Sequence, residues 1–162
     1  MKNIFRTTLI VTLLAFVISS CSTPQNTMTS APSASRGKFT GTWTITAISY
    51  DGLVENAVQN VFDQAPPSAF RGSTWQLTNS GNGVYTLTNG ASQTIFWSVN
   101  STDPNGQVFQ FKKIYQGDKA KNVTAGYQLY VINNDGNRMT LKSPVSVGNS
   151  TAYIIYEFSK TK

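Results

Sequence analysis

Seven carboxylates, one thiol and no histidine are the chain's reactive inventory, beside its lysines, tyrosines and hydroxyls. Without histidine there is no Ser–His or Cys–His nucleophile pair and no metal site of the His/Cys type. Asp51, Asp103 and Asp135 sit beside Gly or Pro in turns, where a short side chain that bonds its own backbone is reason enough for an Asp. Asp63 and Asp118 fall in expected loops. Glu55 and Glu157 alone lie on expected elements, and no spacing joins them as an acid–base pair. The turn oxygens are too widely spaced for a calcium loop. Tyr and Lys form no constellation. The expectation is a protein that is not an enzyme and holds no metal or cofactor.

The thiol is Cys21, and its neighbours give it a different chemistry. Lys2 and Arg6 precede an uncharged apolar stretch, 7–18, which ends in the small residues Ser19 and Ser20. Residues 1–20 therefore read as an export signal. The run is shorter than the about 18–20 residues that span a bilayer. Ile18-Ser19-Ser20-Cys21 resembles the bacterial lipobox. In that family the cysteine is diacylated on sulfur, becomes the first residue after cleavage, and is acylated again on its new amino group. Thiolate nucleophilicity allows the thioether to form. At about 0.8 kcal/mol per buried CH₂, more than one chain makes a stable anchor. Cys21 is the only cysteine, so the chain has no internal disulfide.

Behind the cysteine, residues 22–38 (STPQNTMTSAPSASRGK) are rich in Ser, Thr, Pro and Ala without apolar periodicity. Residues 21–38 are expected to be a lipidated cysteine and flexible tether, with a reach of about 23 Å. The tether carries no acidic residue after the cysteine. Surface-exposed lipoproteins of Bacteroidota often do, so the resemblance implies the outer membrane and favours its periplasmic face. Without Lys2 and Arg6 the chain has 11 basic and 7 acidic residues, a net charge of +4. An exported, lipid-anchored chain does not meet nucleic acid, and no charged helix or stacking platform suggests it.

Residues 39–162 carry period-2 segments separated by turn residues at nearly regular spacing, the pattern of a meander. Eight strands are expected, at 41–50, 73–79, 83–88, 93–100, 107–115, 125–132, 138–143 and 151–159. Pairs such as Asn89-Gly90 and Asp135-Gly136 favour tight hairpins. Trp75 and Leu77, Tyr85 and Leu87, Ile95 and Trp97, Phe109 and Phe111, and Tyr127 and Leu129 each share a face. The last strand is apolar on both faces. The one long connection, 51–72, contains 53–62, which reads as a short helix. Eight antiparallel strands with short turns most economically close into an up-and-down barrel, because closure removes the edges. An open sandwich is the alternative.

Gly41-Thr42-Trp43 opens the first strand and resembles the Gly-x-Trp signature of lipocalins. The strand count and long first loop agree with that fold. The likeness is to the lipocalin-like domains of Bacteroidota lipoproteins. In lipocalins this tryptophan plugs the closed end of the barrel beneath a basic side chain from the last strand. By meander geometry Arg138 or Lys160 is placed to take that role.

The loops 51–72, 88–92, 116–124 and 144–150 then lie at the opposite end, which in lipocalins is open. Val58, Val61, Phe62 and Phe70 of the long loop are candidates for a lid. Trp75, Trp97, Phe109, Phe111, Tyr127 and Leu129 are candidates for walls. Such walls suit an apolar or amphiphilic ligand, unless the same residues pack into a dry core. Lys112, Lys113, Lys119 and Lys121 gather at that end, either as an attraction for an anionic headgroup or as a solvated hairpin. Two functions follow as expectations. One is a membrane-anchored binder of a small apolar or amphiphilic molecule in the cell envelope. The other is a structural, interaction or inhibitor subunit of an envelope protein complex, with a solid barrel core.

Overall fold

The structure, a computed structural model, describes residues 34–122 and 126–161. The signal segment 1–20, Cys21 and the tether as far as residue 33 lie outside the described residues. Eight strands follow in order: β1 (Gly41–Asp51), β2 (Thr74–Leu77), β3 (Asn82–Thr86), β4 (Ser92–Asn100), β5 (Val108–Lys113), β6 (Tyr127–Asn134), β7 (Arg138–Val147) and β8 (Ser150–Lys160). Each pairs antiparallel with the next, and β8 pairs back onto β1. The result is a closed meander barrel, as the turn spacing implies. The sandwich alternative falls.

Alternation decides which side chains fill it. Trp75 and Leu77, Ile95 and Trp97, Phe109 and Phe111, and Met139 and Leu141 are buried, while their neighbours along each strand are more exposed, apart from the buried Val108 at the start of β5. The phase of β8 is resolved: Ala152, Ile154, Tyr156 and Phe158 face inward. A bulge between Ile45 and Ala47 moves β1 by one residue, so Ile48 rather than Ala47 continues the inner face.

The closed end begins earlier in the chain than expected. Residues 34–38 were expected to belong to the tether, but here they are folded against the barrel. A single helical turn, α1 (Arg36–Phe39), carries Phe39 to full burial. Gln107 clasps the Ala34 backbone, its Oε1 accepting from the amide at 3.0 Å and its Nε2 donating to the carbonyl at 2.8 Å. The physical signal is Phe39 itself. A ring that covers Phe109 and Trp97 draws its flanking residues down with it, whatever their composition.

Trp43 is fully buried beside this turn, and its indole Nε1 donates to the Phe39 carbonyl at 2.7 Å. The cation above it is Lys160, whose Nζ lies 5.2 Å from the ring centre. Arg138 does not take that role, which corrects one of the two expectations. Lys160 sits directly opposite Trp43 across the β1–β8 ladder and in phase with Phe158. Arg138 is one residue out of phase with the inward Met139 and is exposed.

The long connection also departs from expectation. Instead of a helix over 53–62 it forms one short turn at Glu55–Ala57, an isolated bridge between Val61 and Ala65, and a second turn at Pro67–Phe70. Val58, Val61 and Phe62 stand at helical spacing, yet that spacing is not used. The barrel mouth offers them an apolar surface, and the chain reverses at Phe62 and Asp63 to reach it.

Candidate functional site

The open end of the barrel is lined by rings and stoppered by one more. Phe70, Trp75, Tyr85 and Phe111 are almost completely buried there, with Tyr127 at the rim and Tyr156 on the opposite wall. Phe62 descends from the long connection into their midst. Its ring lies 5.3 Å from Phe70, 6.3 Å from Trp75, 5.1 Å from Phe111 and 5.4 Å from Tyr127, all edge to face. Tyr156 is 5.7 Å away and tilted. Edge-to-face pairs at these separations add to what burial alone gives.

Placing that ring requires an unusual backbone. Phe62 and Asp63 have φ of 54° and 47°. Side chains other than glycine rarely adopt the left-handed region, at about 1–2 kcal/mol each. Three polar contacts hold the strained turn over the mouth. Lys113 Nζ donates to the Asp63 carbonyl oxygen at 3.1 Å, and the Tyr127 hydroxyl donates to Asp63 Oδ2 at 2.8 Å. The Tyr85 hydroxyl donates to Gln64 Oε1 at 2.7 Å. All three donors belong to the barrel and all three acceptors to the lid.

Burial tunes these donors. It pushes the Tyr85 phenol well above its usual range, with a smaller push from Tyr115. It raises Tyr127 likewise, seconded by the hydrogen bond and charge of Asp63. Both phenols therefore keep their protons at neutral pH. Lys113 is only 8% exposed. Burial lowers its ammonium pKa below the ordinary lysine value, against the opposing charge of Asp63. Burial also raises the Tyr156 and Tyr50 phenols, with the Ser143 hydroxyl acting in the opposite sense on Tyr156.

One side of the mouth is open. The β6–β7 ladder begins at Tyr130 and Lys142, although β7 runs on to Val147 and β6 starts at Tyr127. Pro144 has no N–H to extend the ladder. Beyond that point the two strands leave a groove of about 500 Å³, lined by Val61, Phe62, Tyr127, Ser143, Val145 and Ile154 among others. It joins solvent to the flank of the Phe62 ring. Among the described residues, no three acidic, histidine or cysteine side chains gather closely enough to hold a metal ion.

Of the expected site residues, the structure brings Phe62, Phe70, Trp75, Phe111 and Tyr127 together in this upper cage. Leu129 is buried opposite Phe109 in the barrel wall. Trp97 and Phe109, expected in the same walls, sit lower, where Phe109 stacks on Phe39 at 5.8 Å and Trp97 lies 6.3 Å from it. The solvated-hairpin reading of the lysines holds for Lys119 and Lys121, which are exposed, but not for Lys113. Lys113 continues the inward phase of Phe109 and Phe111. That alternation was in the sequence and identifies it. Tyr85 as a lid donor, and Asp63 and Gln64 as acceptors, had no such signal, because they depend on where the long loop lands.

A closed meander of eight strands, plugged by tryptophan at one end and lidded at the other, is a lipocalin-like barrel. No family model and no curated protein matches the chain. Nine chains of solved structure do. Apocrustacyanin C2 is 11% identical with a TM-score of 0.40, over 78% of this chain and 62% of that one. Lobster apocrustacyanin A1 is 10% identical with a TM-score of 0.38, again over 78% of this chain and 62% of that one.

Proposed function

We propose that this protein is a lipid-anchored, lipocalin-like binder that holds a small apolar or amphiphilic molecule at the outer membrane, on its periplasmic face. The observation that carries the reading is the Phe62 lid. A barrel evolved only as a solid core needs no strained turn to fill its mouth, whereas a binding barrel needs a cover that can leave. The Lys113, Tyr85 and Tyr127 contacts all cross from barrel to lid, so they can break without disturbing a strand ladder. No catalytic step is assigned to it.

The anchor rests on the Ile18–Cys21 motif. Labelled palmitate should mark the full chain and not Cys21→Ala, which should leave the envelope fraction. An unmarked chain, or a Cys21→Ala chain still in the envelope, refutes the anchor. Binding is tested by native mass spectrometry of protein purified from its host without detergent. A reproducible adduct of small-molecule mass is expected. The filled interior of the closed state also suits an interaction or inhibitor subunit of an envelope complex. A mass equal to the bare lipidated chain, together with a co-purifying protein, selects that second reading.

A further inference from the structure

The lid presents the barrel with a phenyl ring and, one residue on, an acidic group at the rim. Phe62 fills the aromatic cage, and the next residue supplies both the carbonyl on Lys113 and the carboxylate on Tyr127. The Lys113 side chain is buried and its ammonium partly so, yet the acceptor it meets is a neutral carbonyl, the Asp63 carboxylate acting on it only through its charge. A buried cation is costly unless an anion or several acceptors compensate it. The lid's own carboxylate is engaged by Tyr127 instead. Beneath the ring, the Tyr156 hydroxyl is buried beside the Ser143 hydroxyl, which interacts with it. The groove between β6 and β7 runs from solvent to Phe62, Tyr127 and Ser143.

We propose that the open end binds an apolar carboxylic acid, its hydrocarbon end displacing the Phe62 ring and its carboxylate taking the Asp63 positions on Lys113 and Tyr127. The lid is a built-in stand-in for that ligand. This assignment rests on the binding reading above and adds the ligand class to it. A carboxylate on Lys113 replaces a neutral acceptor with a charged one, a stronger hydrogen bond in a desolvated place. The displaced turn is released from two left-handed residues. Entry through the β6–β7 groove leaves the hydrogen-bond ladders of the other strands intact.

Covalent geometry suggests the probe. About six chain atoms separate the Phe62 ring from the Asp63 carboxyl carbon, as in 7-phenylheptanoate. That acid and the corresponding alcohol are titrated into the purified full chain and three variants, reading tryptophan fluorescence and heat. The wild type should bind the acid at least about tenfold more tightly than the alcohol. Phe62→Ala should tighten both by about tenfold, because the cage is then vacant. Lys113→Met should remove most of the preference for the acid while leaving the alcohol within about twofold. Tyr127→Phe keeps the ring and removes one donor, so it gives the same direction without altering a buried charge. Equal binding of acid and alcohol in the wild type would sink the carboxylate assignment and leave the apolar-binding reading standing. So would Lys113→Met and Tyr127→Phe both retaining the preference. Binding that Phe62→Ala does not strengthen would remove the stand-in. No binding of either probe by wild type or Phe62→Ala would overturn this assignment and the function it rests on together.

Discussion

Phe62→Ala distinguishes a lid from a core by how much stability it takes away. In a fixed core, Phe to Ala costs about 3–5 kcal/mol. Phe62 is only 7% exposed, so a core residue in its place would show the full amount. The lid's own balance points lower. Burying Phe62 and Val61 contributes about 1.5–3 kcal/mol each. Three hydrogen bonds add about 1 kcal/mol each, somewhat more for the two with a charged partner. Against this stand about 2–4 kcal/mol for two left-handed residues and about 1–2 kcal/mol per residue for ordering 61–65. The two sides agree to within a few kcal/mol, so closure is a shallow equilibrium. Once the ring is removed the lid opens, and the barrel loses no more than the closure free energy. We expect Phe62→Ala to cost about 1–2 kcal/mol in urea unfolding, against about 3–5 for Phe111→Ala in the wall. Native-state hydrogen exchange should show the amides of Val61 and Gln64 losing protection while β5 and β8 keep theirs. If Phe62→Ala costs as much as Phe111→Ala, and strand amides lose protection with the lid, then Phe62 is core and the lid argument is wrong.

At the closed end, Phe39→Ala should cost about 3–5 kcal/mol in the same unfolding assay; a change below about 1 kcal/mol would mean that the 34–39 segment is not part of the folded unit. Lys160→Met should lower stability by about 0.5–1 kcal/mol, the range of a partly exposed cation–π contact, whereas Arg138→Ala should stay within about 0.5 kcal/mol; the reverse order would return the role to Arg138. Binding of 7-phenylheptanoate should hold at neutral pH and fall as pH rises through the Lys113 pKa, which burial places below the ordinary lysine value. The sign follows from the charge: deprotonation removes the cation, while Tyr127, shifted upward, stays a donor. The alcohol's affinity should not move over that interval, and an acid titration flat up to the ordinary lysine value would argue against Lys113 as the anion's partner.

Local rules made the strands legible and the lid illegible. Each hairpin was visible because its turn residues and its alternation are written within about ten residues of one another. At Asn89-Gly90, for example, Asn89 Oδ1 accepts from the Ala91 amide and Gly90 takes φ of 86°. The phase of β8 was not legible, because both of its faces are apolar and only the β1 and β7 registers choose between them. The start of the domain was misplaced for the opposite reason: the composition of residues 34–38 is that of a linker, and one ring at Phe39 overrides it. The 53–62 segment failed on competition between two uses of the same apolar residues. A helix would have aligned Val58, Val61 and Phe62 on one face, but an isolated short helix is marginal in water, whereas the mouth of the barrel offers a ring of five aromatic neighbours. Long-range burial won over local periodicity. That outcome also explains why the site could be only half read. The walls lie on strands, where period 2 names Trp75, Phe111 and, one step further, Lys113. The stopper lies on a loop, whose place is set by what it covers. A lysine in phase with two buried phenylalanines is therefore the most informative residue of the chain. Among the described residues it is the buried position at which the strand pattern calls for an apolar side chain and the sequence supplies a charge instead, Lys160 in the same inward phase being only half-buried.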